Sequence, residues 1–140
     1  MHCFQENHAE VVVLETGMGG RLDATNVVNP LVSVITPIAF DHEQYLGNTL
    51  DKIAFEKAGI IKRSAPVVSA PQDPIAANVL NNQASEFGTP ISYTNLPYDG
   101  PLGLRGVVQN WNAALAIKAV KASGLSIDDA TIRAGLLKAE

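Results

Sequence analysis

The sequence predicts an α/β protein built on a mostly parallel sheet with flanking helices. Three observations lead there. Short runs rich in Val and Ile are bounded by Pro and Gly, as strands are. Longer segments with apolar residues at helical spacing lie between those runs. The runs are continuously apolar rather than alternating, which suits strands covered on both faces.

Residues 11–14, Val-Val-Val-Leu, read as the first strand. Glu15 follows at once, then a loop containing Gly17, Gly19 and Gly20. Pro30 introduces a second run, 31–36, which Pro37 stops; Asp41 and His42 come soon after. Asn48 or Thr49 is a suitable N-cap for a helix through Ala58, with Gly59 as its stop. Residues 66–70 predict a third strand, 75–87 a helix and 91–93 a fourth strand. A Gly- and Pro-rich loop covers 96–106, and an alanine-rich helix covers 110–123, ended by Gly124. Ser126 can cap a last helix, with Asp129 as a capping-box partner. Residues 1–10 have no clear period and suit the tail of a helix begun upstream. There is no internal repeat.

A chain of 140 residues can bury one real core. Its formal net charge of −4 gives no general attraction for nucleic acid or an anionic membrane. The single cysteine, Cys3, excludes an internal disulfide and fits a reducing compartment. No apolar run has the length of a membrane span, and residues 1–10 do not form a signal peptide. A cytoplasmic location is the expectation.

Two nucleotide-binding motifs are tested by the glycine loop and fail. Leu22 stands where a dinucleotide fingerprint needs its third glycine, and no G-x-x-x-x-G-K-[ST] run occurs. Three groups remain. Glu15 lies just past the first predicted strand, where open α/β sheets bind ligands. Its oxygen suits Mg²⁺, although a solvated loop acid reads equally well. His42 follows the second strand; a metal ligand and a hydrogen-bonded loop histidine are its two readings. Lys57 shares a helix face with Leu50, Ile53 and Ala54. Burial there would favour the neutral amine, which reacts with CO₂ to give an anionic carbamate. The alternative is a lysine that extends its charge to water along its stem.

Residues 15–26, Glu-Thr-Gly-Met-Gly-Gly-Arg-Leu-Asp-Ala-Thr-Asn, closely resemble the E-V-G-L-G-G-R-L-D-A-T-N signature of the folylpolyglutamate synthase/dihydrofolate synthase family of the Mur ligase superfamily. Residues 32–36 with Asp41-His42, the Leu-Gly-Asn-Thr-Leu of 46–50 and the Glu-Lys-Ala-Gly-Ile-Ile-Lys of 56–62 match its next motifs in order. Residues 104–106 and 109–113 resemble its L-x-G-x-H-Q-x-x-N-A motif, with Val108 in place of the usual His. The resemblance runs from about residue 10 to near the end, more weakly over 72–103.

The resemblance implies an ATP-dependent amide ligase that joins L-glutamate to dihydropteroate or a folate through an acyl phosphate. It implies Mg²⁺ on Glu15 and His42, a carbamylated Lys57 that helps arrange the metal and γ-phosphate, and Asn112 on the adenine side of ATP. Leu22, Asp23 and Ala24 are implied near the pteroate end of the substrate. It further implies that residues 1–140 are the second half of a central ATP-binding domain. The family's P-loop then lies upstream and its smaller domain downstream. A monomeric full-length enzyme with small-molecule partners and no nucleic acid or membrane is expected. The rivals are a non-catalytic α/β fragment or interaction module, and another Mur-type ligase; the Glu-Lys-Ala-Gly-Ile-Ile-Lys run favours the folate branch.

Overall fold

The computed structural model describes residue 4 and residues 6–140. The expectation for the opening ten residues falls partly outside these. Three short strands form a parallel sheet: β1 (Ser33–Ile35), β2 (Val67–Ser69) and β3 (Ile91–Tyr93). They lie in chain order, with Ser33 opposite Val67 and Val67 opposite Ile91. The helices between them are α1 (Glu43–Leu46), α2 (Leu50–Ala58) and α3 (Pro74–Phe87). After β3 come α4 (Val107–Ala122) and α5 (Asp129–Lys138).

The period of two along β2 builds a layer on each side of the sheet. Val67 joins Ile35, Ile53, Ala54, Ala76 and Leu80 in the larger core, where α2 and α3 pack together. Val68 faces the other way, with Ala70 and Leu115 of α4. The α/β class and the parallel sheet are as the sequence predicts. So are the Thr49 cap of α2, its stop at Gly59 and the bounds of β3.

Other expectations are corrected. Residues 11–14 form no strand: they run unpaired, and Val13 is 91% exposed. Their composition favours a strand, but a ladder needs a neighbouring backbone, and among the described residues none pairs with them. The sheet therefore has three strands where four were predicted. Residues 43–46 form α1, an element not predicted from the sequence. The alanine-rich helix begins at Val107, after Gly106 at φ 113°. Asp128, not Ser126, caps α5, accepting a hydrogen bond from the Thr131 N–H at 2.7 Å. Among the described residues no helix is long and apolar enough to cross a membrane.

Candidate functional site

The glycine loop closes around one carboxylate. Asp23 Oδ2 accepts from the Gly17 and Met18 N–H groups at 2.8 and 3.2 Å. Its Oδ1 accepts from the Thr25 hydroxyl at 2.6 Å and the Thr25 N–H at 2.9 Å. These donors, the Thr25 hydroxyl foremost, hold the Asp23 carboxyl at a pKa of about 2. Asp23 also caps a 3₁₀ turn over Ala24–Val27. It therefore organises the loop before any ligand arrives.

The loop then locks onto the end of α2. A Cβ on Gly20 would stand 3.1 Å from the carbonyl oxygens of both Glu56 and Lys57. A Cβ on Gly59 would overlap Arg21 Cα and Cβ and come 2.8 Å from its nitrogen. These two glycines permit backbone to meet backbone, a use that spacing alone does not separate from phosphate binding. The Arg21 N–H donates to Glu56 O at 2.8 Å. Its guanidinium grips both Glu56 oxygens, with Nη2–Oε1 at 2.9 Å, and lies 5.7 Å from the Phe55 ring centroid. Asn26 Nδ2 bridges the Arg21 and Gly59 carbonyls, and Lys62 Nζ donates to Asn26 O. Two motifs separated by some thirty residues thus form one packed unit. A cleft of about 450 Å³ opens beside it, lined by residues 18–24 with Tyr45, Leu46 and Glu56.

Of the predicted site residues, Leu22, Asp23, Ala24 and Lys57 belong to this unit. Leu22, 81% exposed, and Ala24 line the cleft with Asp23. Lys57 stands where α2 meets the loop, partly buried rather than fully enclosed. Among the described residues its ammonium has no hydrogen-bond or ion-pair partner. His42 is exposed at φ 48°, a left-handed conformation uncommon for a residue with a side chain, and it begins α1. Its carbonyl accepts from the Tyr45 and Leu46 N–H groups, and Nε2 lies 3.6 Å from Asp41 Oδ2. Gln72 braces the approach to it. That amide donates to Thr36 O and Ser69 Oγ and accepts from the Ile38 N–H, tying the carboxyl ends of β1 and β2 together.

Glu15 is exposed and follows the unpaired run, so no strand end presents it. Asn112 is exposed on α4, where it donates to Gln109 at 3.2 Å. Among the described residues no three His, Cys, Asp or Glu side chains form a metal-holding group. The donor chemistry still suits Mg²⁺, which keeps several waters and takes one or two carboxylates together with substrate phosphates. Sequence reasoning passed over Arg21, Asn26, Glu56 and Gln72. Opposite charges beside glycines in two motifs are the signal that links Arg21 to Glu56.

Residues 1–100 match the Mur ligase middle domain. A curated relative, the dihydrofolate synthase/folylpolyglutamate synthase of Bacillus subtilis, is 39% identical over 165 residues. The match takes in 97% of this chain and 38% of the relative. Among solved structures, an FPGS–AMPPCP complex superposes with a TM-score of 0.90 at 31% identity, covering 99% of this chain and 41% of that one. An FPGS–AMPPCP–folate complex gives 0.88 at 32% identity, covering 96% and 40%. The chain therefore spans about two-fifths of the length of these relatives.

Proposed function

The chain belongs to the Mur ligase middle domain family, and from that premise we propose that it is part of an ATP-dependent ligase joining L-glutamate to dihydropteroate or a folate. In this reaction the γ-phosphoryl of ATP passes to the substrate carboxylate. The glutamate amine then attacks the acyl phosphate, an amide bond forms and phosphate leaves. The relatives' names and their complexes with AMPPCP and folate support this reading.

The observation that carries it is the interlock of the loop with the end of α2. It joins the turn that carries Lys57 to the loop following Glu15, and residues 18–24 of that loop line a cleft with Glu56. Leu22, Asp23 and Ala24 face the pteroate end of the substrate, and Asn112 the adenine side of ATP. Glu15 and His42 would hold Mg²⁺, which offsets charge on the transferring phosphoryl group. Lys57 carries a carbamate, turning a cation into an anion that helps place the metal and γ-phosphate. The remaining role of these side chains is positioning and electrostatics.

The test is made in the full-length ligase by glutamate-dependent phosphate release. Lys57→Ala abolishes turnover, and a short carboxylic acid restores part of it. Lys57→Arg also fails, because a guanidinium stays charged and forms no carbamate. Normal turnover by Lys57→Arg refutes the assignment.

A further inference from the structure

We infer that the Arg21–Glu56 pair is a positioning device that fixes the last turn of α2, and with it Lys57, against the glycine loop. Its catalytic consequence rests on the role proposed for Lys57; the placement itself does not.

The helix's own hydrogen bonds loosen where Lys57 sits. Gly59 N–H reaches Glu56 O at 3.3 Å and Ile60 N–H reaches Lys57 O at 3.4 Å, both three residues back rather than four. These long bonds hold the turn weakly. Arg21 supplies what they lack. Its N–H donates to the same Glu56 carbonyl at 2.8 Å, and its guanidinium grips the Glu56 carboxylate through both Nε and Nη2. Phe55, one residue earlier, lies under that guanidinium. A bidentate charged pair fixes orientation as well as distance. Glu56 and Lys57 are consecutive in one helical turn, so holding the backbone at Glu56 restrains the backbone at Lys57.

Amide hydrogen exchange on the 140-residue chain, read by NMR, tests the placement. Glu56→Gln, which keeps the side chain's shape, accelerates exchange of the Arg21, Gly59 and Ile60 amides by about two- to fivefold. The Val67 and Ala70 amides, bonded to Pro90 and Ile35 within the sheet, do not change. Arg21→Lys keeps the charge but loses the fork and gives a smaller acceleration. The reversed pair, Arg21→Glu with Glu56→Arg, restores protection that neither single reversal has. Unchanged rates, uniform acceleration across the sheet, or no recovery in the reversed pair each overturn the inference. In the full-length ligase Glu56→Gln lowers kcat and leaves KM for glutamate unchanged. If Lys57→Ala leaves ligation intact, the proposed role of Lys57 falls while the exchange rates still decide the placement.

Discussion

Replacing Gly59 by Ala probes the contact on which the site's geometry depends. Gly59 has φ −61° and ψ −12°, a conformation any residue adopts, so the substitution brings no backbone strain. Backbone propensity by itself, through the narrower unfolded ensemble of Ala, would favour Ala by about 0.4–1 kcal/mol. Steric overlap opposes this. The new Cβ would sit inside the contact distance of Arg21 Cα and Cβ, and these backbone-anchored atoms cannot rotate away as a side-chain tip can. Overpacking costs about 1–3 kcal/mol, and a backbone obstacle places this case near the top of that range. Subtracting the propensity gain leaves a net loss of about 2 kcal/mol. With a urea m-value of about 1.5–2 kcal/mol/M, the midpoint falls by about 1 M. Gly135→Ala, within α5 and with open space around its Cβ, is the control and raises stability by about 0.5–1 kcal/mol. Urea melts of the two variants followed by circular dichroism decide the matter. A Gly59→Ala protein as stable as the parent chain refutes the interlock.

Asp23 has a folded pKa of about 2, below its ordinary 3.8, so its stabilising contribution is complete above about pH 4 and is lost as pH falls through about 2. NMR should show the Gly17, Met18 and Thr25 amides shifting together over that window, and Asp23→Asn should abolish the titration. Gln72→Leu leaves Ile38 N–H and Thr36 O without this partner and should cost about 1–3 kcal/mol in a urea melt, with faster exchange of the Ile38 amide. The 140-residue chain alone should release no phosphate from ATP with dihydropteroate and glutamate, because its sequence has no G-x-x-x-x-G-K-[ST] cradle; measurable substrate-dependent release would refute this.

Periodicity made the helices and the parallel sheet legible because burial imposes it. Leu50, Ile53 and Ala54 are spaced for one face, and that face is the one packed in the core. Strands that pair with described neighbours were legible for the same reason. Residues 11–14 show the limit: three β-branched residues state a propensity, while pairing is a property of two backbones. The cap of α5 was missed because Ser126 and Asp128 are both good N-caps, and the choice between them turns on which oxygen reaches the Thr131 N–H. The glycine loop shows a different limit. Gly20 and Gly59 are small for the sake of Arg21, Glu56 and Lys57, and no local rule pairs positions so far apart in the chain.

That interlock also ranks the three groups proposed to act together. Lys57 is tied to the loop through the carbonyls of residues 56 and 57 and through the Arg21 fork. His42 is tied less directly, through the Gln72 brace on residues 36 and 38 and its own place at the start of α1. Glu15 is tied least, since the run before it has no ladder and its nearest restraint is the Asp23 bond to the Gly17 N–H. Two of the three groups thus inherit their positions from contacts already formed. Glu15, after an unpaired run, has no such contact among the described residues. Asp23 fixes the loop from its far end, so residues 17–26 and the end of α2 hold their hydrogen bonds without any pairing of residues 11–14.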